Sequence, residues 1–293
     1  MVQPSLFHDP ESRLRVGPAG WSYPDWSGTV YPEPKPRGFD PLRYLAHWFD
    51  AVEINSSFYR PPSPSMAGAW ARRVDHNPNF RFTAKVWQRL THEGSTSAQD
   101  VSAFLEGIDP LVESARLGAL LLQFPWSFKN SLEARGRLEK LARLFRNFPL
   151  VVEVRHASWA DADFFRFLKD LGIGFCNIDQ PVIGQSLKPL SVVTSPVGYF
   201  RLHGRNYANW FKEDAGRDNR YDYLYTGAEL DHLTGLIKEV RDASEECYVI
   251  TNNHFRGKAV FNGLELQQRL TGRIVEAPPS LAREYARPKD FSI

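Results

Sequence analysis

Cysteine and long apolar runs are what this sequence most clearly lacks. Only two cysteines occur in 293 residues, Cys176 and Cys247, both inside strand-like segments. That excludes a disulfide-stapled scaffold and reads as two buried thiols in a reducing compartment. No stretch approaches the roughly 18 apolar residues of a membrane span. Met1 to Arg15 holds no apolar run of signal-peptide length. The expectation is a cytoplasmic protein with no membrane partner. Charge of one sign is also lacking: 36 Lys and Arg stand against 34 Asp and Glu, a net of +2. This excludes an indiscriminate polycation but not a local basic patch. There are no repeats, no low-complexity tract and no interdomain linker. His-x-x-x-His, Cys-x-x-Cys, P-loop, dinucleotide and Gly-x-Ser-x-Gly signatures are all missing, so a metal or nucleophile site would be assembled across strands.

What is present is a 42% hydrophobic chain with 13% aromatics, enough for a substantial core. A chain of this length buries about 75% of its unfolded surface. Eight apolar, strand-like runs recur: Leu14 to Gly20, Ala51 to Asn55, Phe80 to Val86, Ala119 to Phe124, Leu150 to Arg155, Ile173 to Asp179, Val197 to His203 and Cys247 to Asn253. Most end in polar residues, and where there are two they stand two apart, so they share one face of a strand. The ends carry Glu53 and Asn55, Lys85, Gln123, Glu153 and Arg155, Asn177 and Asp179, Arg201 and His203, Thr251 and Asn253. Helical patterns separate the runs. They cover Asp40 to Asp50, Pro64 to Val74, Ala98 to Arg116 with an expected break at Pro110, and Leu132 to Phe148. Ser158 is read as the cap of a helix reaching Leu171, and Thr226 with Glu229 as a capping box. Lys258 to Leu270 is the last barrel helix. Only Gln180 to Pro196, with its three prolines, has a poor helical pattern.

Alternation of strand and helix predicts a parallel α/β sheet. Polar strand ends almost all the way round favour a (β/α)₈ TIM-like barrel over a flat doubly wound sheet, whose site lies at one switch point. Short helix-to-strand links and long strand-to-helix loops agree, since those loops gather on the C-terminal face. One domain over residues 1–293 is expected, with a core from about 14 to 270 and a C-terminal extension over 271–293.

The motifs then become specific. Gly17-Pro-Ala-Gly-Trp21 with Tyr23 and Trp26, Glu53-Ile-Asn55-Ser-Ser-Phe-Tyr59, Phe82 to Lys85 followed by Thr91-His92, Gln123-Phe-Pro125, Glu153-Val-Arg155-His156 with Trp159, Arg201-Leu-His203-Gly204-Arg205 and Asn252-Asn253-His254 follow in order. Together they resemble the YecE-like family, domain of unknown function 72. That resemblance implies a TIM-type barrel and carries no catalytic roles. Pro18 and Ala19 replace the more usual Thr and Ser, and Thr251 stands where an aromatic is common, which would alter one wall of the mouth.

Read by chemistry, Glu53, Glu153, Asp179 and His203 are the catalytic candidates, as general acid, base or proton relay. The bland alternative is pairing of each carboxylate with an inward cation, such as Glu153 with Arg201 or Lys85. No cofactor is specified. A divalent metal would take Glu153 and Asp179 as ligands. Lys85, Arg155, Arg201 and Arg205 suit phosphate or carboxylate oxygens. Trp21, Asn55, Tyr59, His92, Gln123, Trp210 and Asn253 complete the expected binding surface. The loop from Gly204 to Tyr225 holds Tyr207, Trp210, Phe211, Lys212, Gly216, Arg217, Arg220, Tyr221 and Tyr223, and reads as a mobile lid or a packed cap. The leading expectation is a hydrolase-like enzyme acting on a small anionic, phosphate-bearing partner: a nucleotide, nucleic-acid fragment or sugar phosphate. A phosphate-independent glycosidase or isomerase and a noncatalytic nucleic-acid-binding module are the alternatives.

Overall fold

A computed structural model describes residues 13–210, 212 and 219–285. Phe211, Gly216 and Arg217 of the predicted loop, residues 1–12, and residues 286–293 of the extension lie outside them.

All eight expected strands form: β1 Leu14–Pro18, β2 Ala51–Ile54, β3 Arg81–Lys85, β4 Leu117–Gln123, β5 Leu150–Glu153, β6 Ile173–Asp179, β7 Val197–Leu202 and β8 Glu246–Thr251. They pair in parallel in the order β1-β8-β7-β6-β5-β4-β3-β2. The ring is completed between β1 and β2 by a single bridge, Ala19 to Glu53, with Gly20 N–H donating to the Glu53 carbonyl at 2.9 Å. This is a (β/α)₈ TIM-like barrel, nearly closed. Gly17 makes the last junction tight, because a Cβ there would sit 1.7 Å from the Ala51 carbonyl oxygen.

The helices follow the apolar periodicity with informative departures. Asp40 caps Pro41–Leu45 through the Leu42 and Arg43 amides, but the helix ends in turns well before Asp50. Pro110 lies inside Ala98–Glu113 without breaking it. Phe104, Ile108 and Leu111 are buried on either side, so packing outweighs the one hydrogen bond that proline removes. The expected Ser158 cap is incorrect. His156 caps a 3₁₀ turn over Ala157–Trp159, and Asp161 caps the helix Ala162–Leu171 by accepting from Phe164 N–H. Thr226 and Glu229 form the expected capping box on Gly227–Asp242. Between β6 and β7 no α-helix occurs over 180–196. The extension contributes a short helix, Pro279–Tyr285, that periodicity did not reveal. Among the described residues no helix is long and apolar enough to cross a membrane. Both cysteines are free and buried.

Register decides which strand-end side chains meet. In neighbouring parallel strands, partnered residues point to the same face. Glu53 partners Thr83, Gln123 partners Glu153, and Arg201 partners Ile178 on one side and Ile250 on the other. Asp179, by contrast, partners Leu202, and Leu202 partners Thr251. That set lies on the outer face, toward the helices.

Candidate active site

Arg201 is the centre of the mouth. It is fully buried, and its two terminal nitrogens reach two carboxylates. Nη2 donates to Glu53 Oε1 at 2.7 Å, and Nη1 donates to Glu153 Oε2. Both glutamates are themselves fully buried. Glu53 Oε1 is also 3.7 Å from Lys85 Nζ, and Glu53 Oε2 accepts from the Tyr199 hydroxyl at 3.0 Å. Glu153 Oε1 accepts from Arg155 Nε at 2.9 Å and lies 3.3 Å from His203 Nε2. Gln123 Oε1 accepts from Arg201 Nη1 at 3.3 Å. Glu53, Lys85, Gln123, Glu153, Arg155, Arg201 and His203 are therefore one cluster, in which the carboxylates pair with inward cations as the bland alternative expected.

The charges in this cluster do not cancel. Lys85, Arg155 and Arg201 carry three positive charges against the two of Glu53 and Glu153. Arg201 has no exposed surface, whereas the Lys85 and Arg155 side chains remain 12% and 16% exposed. Burial pushes the Glu153 carboxyl up, but Arg201, His203 and Arg155 overcome it and hold the group well below the usual carboxylate range. For His203 burial again acts first, lowering its pKa; Glu153 opposes, and Arg201 and Arg155 add to the lowering, leaving it at about 3. The Asn252 amide sits 3.0 Å from His203 Nδ1 and has only N–H groups at that nitrogen, so Nδ1 accepts and the proton belongs on Nε2, facing Glu153.

This sets the acid behaviour of the fold. A histidine whose folded pKa lies below its unfolded value destabilises the folded state as pH falls through the gap, because the unfolded chain binds the proton first. For His203 the gap runs from the ordinary 6.5 down to about 3. Between pH 6.5 and 5 the wild type is expected to lose about 2 kcal/mol through this group. Urea midpoints at the two pH values should show a His203→Gln variant losing less by about that amount. Equal pH slopes would contradict a neutral His203.

Asp179 and Arg205 belong to a second network on the outer side of β6. Arg205 binds both Asp179 oxygens at 2.7 to 3.0 Å and Glu229 Oε1 at 3.2 Å. The Tyr225 hydroxyl donates to Asp179 Oδ2 at 2.5 Å, and that of Tyr223 donates to Glu229. The metal candidates Glu153 and Asp179 thus sit in separate networks, and among the described residues no three His, Cys, Asp or Glu groups gather as a metal site. Asn253, expected in the binding surface, instead donates to the Tyr223 carbonyl at 2.9 Å and Asn262 Oδ1 at 2.8 Å. Thr251 does not wall the mouth; its hydroxyl donates to the Ala259 carbonyl at 2.8 Å. Trp21 packs edge-on against Trp70, and His92 edge-on against Phe58, behind the ring that faces Lys85.

Above the cluster the surface divides into adjoining hollows. A cavity of about 150 Å³ is lined by Asn55, Phe58, Lys85, Gln123, Tyr221 and Asn252 among others. A second, also about 150 Å³, lies between Trp126, Arg155, Gln180, Trp210, Arg220 and Tyr221. Tyr221 is shared by both. Trp210 is buried with its ring centroid 5.9 Å from the Arg155 guanidinium carbon, so this part of the loop packs down as a cap. A shallower hollow outside them holds Trp21, Asn55 and Tyr59, with Tyr59 60% exposed on the rim. Tyr199 and Gln180 were not expected at the site. Tyr199 had a usable signal, since it stands two residues before Arg201 on the same strand face; Gln180 lies in the segment whose pattern is weakest.

Comparison with known proteins agrees with the architecture. The family described as "Protein of unknown function DUF72" matches residues 15–284. The chain is 28% identical to the UPF0759 protein YunF of Bacillus subtilis over 88% of its own length and 94% of that protein. UPF0759 protein YecE of Escherichia coli is 30% identical over half of each chain. Among solved structures, a DUF72 family protein from Thermotoga maritima superposes with a TM-score of 0.76 at 34% identity, covering 88% of this chain and 99% of that one. One from Enterococcus faecalis gives 0.77 at 28% identity, covering 91% and 98%. Barrel, ordered motifs and the family match over residues 15–284 agree, and the chain belongs to the DUF72 family.

Proposed function

We propose that the barrel mouth is an enzyme site for a small anionic substrate that carries a phosphate and a ring. The observation behind this reading is the uncancelled positive charge of the buried cluster, which comes to the surface at Arg155 and Lys85. In the Arg155 hollow, two arginines stand among two tryptophans and a tyrosine. Arg220 Nε is buried there with no hydrogen-bond partner among the described residues. A guanidinium fork and a phosphate have matching geometry, and flat aromatic walls suit a planar ring. Arg155 is already oriented by Glu153, so little rotamer entropy is lost on binding. Glu53, Glu153 and Arg201 act in this reading as the rigid support that holds Arg155 and Lys85 in place, and Asp179 anchors the surrounding loop. A hydrolase-like reaction on a nucleotide or sugar phosphate is the class that suits the hollow.

Calorimetric titration with inorganic phosphate, adenosine monophosphate and ribose tests it. Adenosine monophosphate is expected to bind most tightly and ribose least. Arg155→Met should weaken adenosine monophosphate by about tenfold or more, the loss of one charge-assisted contact. Ribose binding as tightly as adenosine monophosphate, with no effect of Arg155→Met, would refute the anion site in favour of a neutral-sugar barrel.

A further inference from the structure

We propose that Lys85 is the nucleophile of this mouth, an amine that condenses with the aldehyde or ketone group of the substrate to form an iminium. For the substrate's anionic half, the inference rests on the site proposed above; for the amine itself it stands on separate observations.

The first is placement. Lys85 ends β3, and its side chain lines the 150 Å³ cavity that adjoins the Arg155 hollow across Tyr221. Its backbone is held from outside the barrel: the Ser57 hydroxyl donates to the Lys85 carbonyl at 2.7 Å. The ammonium nitrogen is 6.0 Å from the centroid of Phe58, an apolar wall, and only a small part of the side chain meets solvent. A ligand with its anion at Arg155 would lay its other end beside this nitrogen.

The second is the company it keeps. Glu53 is the carboxylate nearest Lys85, at 3.7 Å, but the same oxygen accepts from Arg201 at 2.7 Å. The better-placed arginine takes most of the neutralising power of Glu53. The charged and titratable groups facing Lys85 are Glu53 from β2, Glu153 and Arg155 at the end of β5, Arg201 from β7, and His92 beyond β3. Burial first, and then Arg201 and Arg155, bring Lys85 down to about 8 against the pull of Glu53 and Glu153. An amine in that range is partly unprotonated near neutral pH while an ordinary lysine is not.

The third is a set of polar groups able to serve the addition. Asn55 lines the cavity, and its Oδ1 is buried without a hydrogen-bond partner among the described residues. It suits the hydroxyl of a carbinolamine. Gln123 gives its Oε1 to Arg201, which leaves the NH₂ end as the donor for a substrate oxygen.

The steps balance. The Nζ lone pair bonds to the carbonyl carbon as the C=O π pair moves onto oxygen. A proton passes from nitrogen to that oxygen, giving a neutral carbinolamine. The proton that Lys85 gave to solvent on becoming an amine returns from solvent to the hydroxyl, which leaves as water as the nitrogen lone pair forms the C=N bond of the iminium. The iminium carries the same single positive charge as protonated Lys85, so the buried pairing with Glu53 is restored at the end of the step.

The test uses the wild-type protein, two probes and cyanoborohydride, which reduces an iminium to a stable secondary amine. The probes are glycolaldehyde, neutral, and glycolaldehyde phosphate, anionic. Peptide mass mapping then compares adduct formation at Lys85 with the exposed Lys140. Lys85 is expected to react at least tenfold faster than Lys140, with a pH midpoint near 8 and a preference for the phosphate probe. Rapid labelling of Lys85 by both probes equally would support the amine and overturn the anion site. Labelling of Lys85 no faster than Lys140 with either probe would overturn the amine, whatever adenosine monophosphate binding shows for the anion site. The Lys85→Arg variant keeps the charge and must lose the adduct.

Discussion

Replacing Arg201 by Met is expected to cost the folded state more than about 4 kcal/mol. Breaking a buried ion pair by removing one partner typically costs about 3–5 kcal/mol, because the remaining charge is left without compensation. Here one side chain with no solvent exposure neutralises two carboxylates that have none either. Lys85 and Arg155 stay beside them, and this keeps the cost from doubling. Urea unfolding followed by fluorescence gives the number. If Arg201→Met alone yields no folded protein, the double variant Arg201→Met, Glu53→Gln decides the matter. It removes one charge of each sign and leaves Glu153 paired with Arg155, so it should recover a folded barrel. A single variant within about 1 kcal/mol of wild type would mean that Arg201 is not the keystone of the cluster.

Gly17→Ala is expected to be as damaging, for a reason unrelated to charge. Its Cβ would lie 1.7 Å from the Ala51 oxygen and 2.6 Å from the Ala51 carbonyl carbon. Both are backbone atoms that no rotamer change can move. The substitution therefore pushes β1 and β2 apart where one bridge joins them, and β2 carries Glu53. Overpacking of a rigid core costs about 1–3 kcal/mol, and a backbone collision lies at or beyond the top of that range. Gly136 is the matched control. It lies in the helix Leu132–Leu144, and nothing comes within 4 Å of an added Cβ. Gly136→Ala should stabilise by up to about 1 kcal/mol. Melting temperatures should move in opposite directions; a Gly17→Ala protein that melts with wild type would remove the steric argument.

Much of the barrel was legible because strands buried on both sides leave long apolar runs, and these survive any local ambiguity. The same holds for Glu153 with Arg155 and Arg201 with His203: spacing by two put each pair on one face, and the two pairs converge with Glu53. Spacing cannot say which face. Asp179, Thr251 and Asn253 share the period but lie on the opposite parity in register, toward the helices rather than the mouth. Register depends on neighbouring strands, and no single run contains it. Ser158 failed as a cap for a related reason. Several polar residues near a helix start compete, and the winner depends on the 3₁₀ turn that His156 begins.

The Asp179 network has a further consequence for the loop that leaves β7. Arg205, at its start, and Tyr225, at its end, both bind the same carboxylate, and the Tyr225 hydroxyl also accepts from the Gly204 amide at 2.8 Å. This knot therefore ties both ends of the segment to one strand end, while the described residues between them make further contacts with the barrel: Trp210 packs over Arg155, and the Tyr223 carbonyl accepts from Asn253. Closing a loop grows costlier only slowly with length, by roughly 0.6 kcal/mol per doubling. Changes of length between those points thus leave the two tied ends in place and cost the scaffold chiefly the contacts of Trp210, Tyr221 and Tyr223, while they reshape the roof above Arg155. The knot makes the segment a replaceable cassette, through which one barrel can be given different ligand preferences without rebuilding its foundation.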